Sequence, residues 1–124
     1  MVRRLAVTAA MALLATACGS DNGVPPSPPA AGSTITITSS GVSPKSLLVS
    51  PGTQVTFVNN DSRNHEMNSD QHPDHLDCTA INTVGLIVPG QSKQTGNLNT
   101  VRTCGYHDHV LFTNTSLQGT ITIQ

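Results

Sequence analysis

The chain has 124 residues, of which 36% are apolar, 10% charged and 2% aromatic, so it is long enough for one domain at most. Six basic residues stand against seven acidic ones, which excludes the basic surface that nucleic-acid binding requires. The scarcity of aromatic residues beside many Thr, Ser, Asn and Gly residues is typical of short strands and turns.

The N-terminal segment has the pattern of an export signal. Arg3 and Arg4 precede an apolar run from Leu5 to Ala17, which is shorter than the roughly 20 residues that cross a bilayer. Small residues then lead into Cys18, and the segment resembles a bacterial lipoprotein signal, in which that cysteine is lipidated. The alternative is an ordinary cleaved signal with an incidental cysteine. We expect a signal peptide over residues 1–17 and a membrane-anchored protein in the periplasm or on the cell surface.

The next segment, residues 18–33, contains the lipidated Cys18 and four prolines, and its only large apolar residue is Val24. Such a stretch cannot bury enough surface to fold, so it predicts a semi-extended tether. The folded domain is therefore expected over residues 34–124.

Within that domain the hydrophobic period is two. Ile35 and Ile37 alternate with threonines, Val55 and Phe57 share a face, and Ile121 and Ile123 alternate near the end of the chain. Turn signals separate these runs at the spacing of an antiparallel sandwich or barrel. The pattern predicts an all-β sandwich of about seven strands. The polar segment 59–83 interrupts it, and so long a polar segment in a small domain usually has a function.

The residues suited to metal binding collect in two places. All five histidines lie between positions 65 and 109, and the two cysteines beyond the tether lie in the same two groups: His65, His72, His75 and Cys78 in the first, and Cys104, His107 and His109 in the second. Imidazole and thiolate are favoured ligands of copper and zinc, so two loops at one end of a sandwich are predicted to form a metal site. A polar loop whose histidines only meet water is the alternative.

Three motifs in chain order resemble the cupredoxin family. A strand and turn from Val55 to Asp61 is followed by His65, Cys104-Gly105-Tyr106-His107 matches the family's C-x-x-H, and the segment beginning at Leu117 matches its closing strand. The resemblance implies a plastocyanin-like Greek-key sandwich that binds one copper ion through His65, Cys104 and His107. It also implies one-electron transfer with a redox partner protein. The family's axial methionine is replaced by Leu117, so the axial position is either empty or filled by His109.

The cysteine count supports a second arrangement. If Cys18 is lipidated, Cys78 and Cys104 are the only thiols left in an oxidising compartment, where an even pair usually forms a disulfide. The histidines alone, His65, His107 and His109 with His72 or His75, would then form a nitrogen-only site for copper sequestration or delivery. A metal-free sandwich acting as an interaction module is the third hypothesis. Nothing resembles a nucleophile elbow or another catalytic motif, so we do not expect an enzyme.

Overall fold

The computed structural model describes residues 32–124. These residues form nine strands and two short 3₁₀ helices, at Thr79–Thr83 and Thr115–Leu117. The strands are β1 (Thr34–Thr38), β2 (Gly41–Ser43), β3 (Ser46–Val49), β4 (Thr56–Asn59), β5 (His65–Ser69), β6 (Gly85–Ile87), β7 (Ser92–Gln94), β8 (Arg102–Asp108) and β9 (Gln118–Ile123).

The strands are arranged in two sheets. The first has four strands in the order β2-β1-β4-β7, and the second has five in the order β3-β9-β8-β5-β6. The predicted all-β sandwich is confirmed. The strand pairing is not wholly antiparallel, however, because β1 pairs with β4 and β3 pairs with β9 in parallel.

The core lies between the sheets and is built from the alternating positions that the sequence predicted. Ile35 and Ile37 of β1 and Phe57 of β4 are fully buried in one sheet, and they face Tyr106 and Ile121 of the other. The ring of Phe57 meets that of Tyr106 edge to face, with the ring centroids 5.2 Å apart. Apolar burial of this kind is the main term that stabilises a small sandwich.

Two strands were not predicted from the sequence. β2 has only three residues, and β5 is formed by the polar sequence His65-Glu66-Met67-Asn68-Ser69, inside the segment that we expected to be a loop. Most of β5 is nevertheless buried, because the side chains of His65 and Ser69 form hydrogen bonds inside the fold. Period-two patterning detects apolar faces, so it does not detect a strand of this composition.

The central strand of the five-stranded sheet, β8, has two chemically different faces. Cys104, Tyr106 and Asp108 point into the interior and are fully buried. Since side chains alternate along a strand, Gly105 and His107 lie on the outer face. The backbone N–H of His109 donates to the carbonyl of Glu66 at 2.7 Å, which continues the strand pairing to the second histidine.

The predicted signal peptide, Cys18 and nearly all of the predicted tether lie outside the described residues. Within residues 32–124, no helix is long and apolar enough to cross a membrane.

Candidate metal centre

Four imidazoles meet on the outer face of the five-stranded sheet. They belong to His72 and His75 from the segment after β5, and to His107 and His109 at the end of β8. One ligand atom of each lies within 4.8 Å of the others, and Nε2 of His75 is 2.9 Å from Nδ1 of His109. Two nitrogens bound to one ion through bonds of about 2.0 Å lie at most about 4 Å apart, so a side-chain adjustment of about 1 Å closes the set on a single ion.

The segment after β5 is held in a defined conformation that presents His75. Nδ1 of His75 donates to the carbonyl of Ser69 at 2.9 Å, and the carbonyl of His75 accepts from Ser69 Oγ and from Asn82 Nδ2, each at 2.9 Å. His75 has a left-handed backbone with φ of 54°, which is uncommon for a residue with a side chain and persists only where surrounding contacts impose it. The proton on Nδ1 leaves the lone pair of Nε2 directed at the cluster.

Asp70 orients the ring of His107. Its Oδ1 accepts from Nδ1 of His107 at 2.7 Å, and the backbone N–H of Asp70 donates to the carbonyl of Gly105 at 3.0 Å. A Cβ on Gly105 would overlap Oδ2 of Asp70 and would lie 2.7 Å from its Cγ. Glycine at position 105 therefore makes room for the carboxylate, and the carboxylate fixes the ring nitrogen that carries the proton.

Nε2 of His107 fits the role of a metal ligand. The residue is 3% exposed, and this nitrogen has no hydrogen-bond partner among residues 32–124. A buried polar atom without a partner is costly, so it usually marks a strained or functional position. The ring centroid of His107 lies 5.7 Å and 5.0 Å from those of His72 and His75, and a donor set of four imidazole nitrogens suits copper or zinc.

His72 is bound more loosely than the other three. Its ring stacks on Phe112, with centroids 4.0 Å apart and planes inclined by 3°. Desolvation lowers the pKa of His72, and the charges of the other three imidazoles lower it further. Both effects favour the neutral ring, which is the form that binds a metal ion.

The structure places His65 away from this cluster, contrary to the sequence interpretation. His65 is fully buried, and its Nδ1 and Nε2 lie 2.6 Å and 3.0 Å from carboxylate oxygens of Asp108 and Asp61. Burial alone would raise the pKa of Asp61, but hydrogen bonds from Arg63 and His65 outweigh it and bring the pKa to about 2. Each ring nitrogen of His65 is therefore already paired with a buried carboxylate, and His65 is not a member of the imidazole cluster.

Cys104 is not placed as a thiolate ligand either. It forms a disulfide with Cys78, with the two Cα atoms 5.8 Å apart. The sulfur of Cys104 is therefore not available as a thiolate for copper. Leu117 is buried in the core and Met67 is fully buried on β5. Of the four predicted ligands, the structure brings together only His107 and His109, and it adds His72 and His75.

Sequence reasoning undervalued His72, His75 and Asp70. The signal that finds them is the spacing Asp70-x-His72-x-x-His75 immediately after a strand, together with His107-x-His109, in which period two puts both rings on one face. Pro73 rules out a helix in this segment, yet a turn brings His72 and His75 together, with ring centroids 5.6 Å apart.

No family model and no curated protein matches the chain. Solved structures do resemble it. Purple cupredoxin from Nitrosopumilus maritimus has a TM-score of 0.55 and 19% identity, and the match covers 73% of this chain and 98% of that one. A reduced amicyanin variant has a TM-score of 0.59 and 14% identity, covering 73% of this chain and 80% of that one. An oxidised amicyanin variant has a TM-score of 0.57 and 16% identity over the same shares. At these identities the likeness concerns architecture, and the chain has the cupredoxin fold.

Proposed function

We propose that this protein binds one copper ion on the outer face of its five-stranded sheet, through the imidazoles of His72, His75, His107 and His109. The observation that carries the proposal is the buried, unpartnered Nε2 of His107, in a residue that lies in a cluster with three further imidazoles. Some solved structures of amicyanin, which shares the fold, are described as Cu(I) forms, which supports copper as the metal.

The donor set favours copper handling over rapid electron transfer. A blue-type centre uses a thiolate, and the sulfur of Cys104 is bonded to that of Cys78. Imidazole nitrogens alone favour Cu(II) in a tetragonal environment, whereas Cu(I) prefers softer ligands, so reduction would require rearrangement. We therefore propose a binding protein, not an enzyme, that sequesters copper or delivers it, with a copper donor or acceptor as its partner in place of a redox protein.

Export and anchoring form a separate part of the proposal. The disulfide supports a location outside the reducing cytoplasm, and the pattern before Cys18 supports a lipid anchor. Replacing Cys18 with Ser is expected to release a folded domain from membranes. Retention of this variant in the membrane fraction after a salt wash would contradict the anchor.

Titration of the apo-protein with Cu(II) tests the metal proposal. The unchanged protein is expected to bind one equivalent with a weak ligand-field absorption band, and His107→Ala is expected to lose this saturable binding. Gln71→Ala is the matched control, because Gln71 is exposed and adjacent to His72 yet offers no imidazole. Absence of saturable binding by the unchanged protein would overturn the proposal.

A further inference from the structure

We infer that His72 is the exchangeable ligand of this centre, the side chain that leaves when copper is taken up or handed on, and that its stack on Phe112 holds it in the ligand position between exchanges. The inference rests on the proposed function and adds to it the order in which the ligands dissociate from the copper ion.

Three of the four imidazoles are fixed by the fold. Nδ1 of His107 is held by Asp70, and Nδ1 of His75 is held by the carbonyl of Ser69. His109 follows β8 directly, its backbone bonds to Glu66, and its Nδ1 lies 2.9 Å from Nε2 of His75. Each of these rings therefore has at least one contact that sets its orientation before any ion arrives, and such preorganisation raises metal affinity.

The ring of His72 differs in every one of these respects. His72 is exposed, and within residues 32–124 its side chain makes ring contacts but no hydrogen bond. The nearest of these contacts is the parallel stack on Phe112, and the other imidazole centroids lie 5.0–5.7 Å away. Rotation of His72 into solvent therefore breaks no hydrogen bond and uncovers the ligand position that it occupied.

Phe112 is suited to hold such a side chain because its own backbone is anchored. The carbonyl of Phe112 accepts from Gln118 Nε2 at 2.8 Å, and the N–H of Asn114 donates to the carbonyl of Leu111 at 2.8 Å, which closes the turn. Phe112 remains 43% exposed, and its ring lies parallel to that of His72. An aromatic stack contributes about 0.5–1.5 kcal/mol beyond burial, which is strong enough to bias His72 toward the site and weak enough to break often.

This arrangement identifies the side from which a copper acceptor reaches the ion. Withdrawal of His72 opens one position toward solvent, where an imidazole or thiolate of the acceptor binds before the three fixed imidazoles release. The exchange is a ligand substitution and involves no change in oxidation state.

The test measures copper transfer from the Cu(II)-loaded protein to excess EDTA by stopped-flow absorbance, alongside equilibrium affinity and the number of bound nitrogens from electron paramagnetic resonance. His72→Ala is expected to bind one equivalent with one nitrogen fewer and to release copper faster than the unchanged protein. Phe112→Ala is expected to retain the nitrogen count and to release copper about 2- to 10-fold faster, the factor that corresponds to the loss of one stack.

Val110→Ala is the matched control, since Val110 is an exposed apolar side chain in the same turn and is not an aromatic partner of His72; its release rate is expected to equal that of the unchanged protein. Unchanged release by Phe112→Ala, or loss of all binding in His72→Ala, would overturn the inference while leaving the four-imidazole centre intact. Failure of the unchanged protein to bind copper would instead overturn the proposed function, and the inference with it.

Discussion

Replacing Gly105 with Ala is expected to weaken copper binding although position 105 offers no ligand. The new Cβ would overlap Oδ2 of Asp70 and would lie 2.7 Å from Cγ and 3.2 Å from Cβ of that residue. Asp70 has to move, and its bond to Nδ1 of His107 is then lost. Without that acceptor, the ring of His107 is free to rotate and to place its proton on either nitrogen.

The effects of Gly105→Ala on copper affinity and on the free energy of unfolding are estimated separately from the structure. Loss of a carboxylate that orients a ligating histidine costs about 10- to 100-fold in metal affinity. The side chain of Asp70 is 43% exposed, so it moves into water without leaving a buried charge. We expect the free energy of unfolding of the apo-protein to fall by about 1–3 kcal/mol, because the buried Nδ1–H of His107 loses its acceptor.

Competition titration with a copper chelator and urea unfolding of the apo-protein measure the two quantities. Asp70→Ala is expected to match Gly105→Ala in affinity, whereas Asp70→Asn retains an acceptor oxygen and is expected to bind more tightly than either. Asp74→Ala removes the same charge from the same segment and is expected to have no effect, because Asp74 makes no hydrogen bond within the described part of the chain. Equal losses in Asp74→Ala and Asp70→Ala would show that local charge, not orientation of His107, controls affinity.

Three further predictions concern the fold beneath the centre. His65→Ala is expected to lower the free energy of unfolding in urea by about 3–5 kcal/mol, because it leaves Asp61 and Asp108 buried without their shared partner. The variant is expected to keep its single copper site. Unchanged stability together with loss of copper binding would instead show that His65 is a copper ligand. Cys78→Ser and Cys104→Ser are each expected to lower the free energy of unfolding by about 3–4 kcal/mol, the chain-entropy value for their separation of 26 residues, and clearly unequal losses would argue against the disulfide. The folded pKa of Asp61, about 2, lies below its ordinary 3.8, so its ionisation stabilises the fold above about pH 4 and this contribution is lost as the pH falls toward 2. The free energy of unfolding, measured from pH 7 to pH 2, is therefore expected to depend less on pH in Asp61→Asn than in the unchanged protein. An identical pH dependence would show that ionisation of Asp61 does not stabilise the fold.

The sandwich was predictable because apolar residues alternate along the strands that form its core. Ile35 and Ile37, or Ile121 and Ile123, occupy one face of a strand by period alone, and the structure buries all four. β5 was not predictable in this way. His65 looks like a ligand in the sequence, and only the fold shows that two aspartates, 4 and 43 positions away, enclose it.

The sequence predicted that histidines form a metal centre, but it did not predict which residues are the ligands. Clustering of histidines around positions 72 and 107 indicates a metal site, and period two already places His107 and His109 together. The choice between thiolate and disulfide for Cys104 depends on whether Cys78 comes within bonding distance in three dimensions. The sequence pattern alone supports both arrangements, because a C-x-x-H motif and an even cysteine pair are each legitimate signals.

The most direct test of the account is a single sample measured in two ways. The domain of residues 34–124 is loaded with one equivalent of Cu(II), its visible spectrum is recorded, and its free thiols are then counted after unfolding without reductant. The four-imidazole centre predicts weak ligand-field absorption and no free thiol at Cys78 or Cys104. An intense sulfur-to-copper charge-transfer band, accompanied by titratable thiols at both positions, would contradict it and would place copper on Cys104.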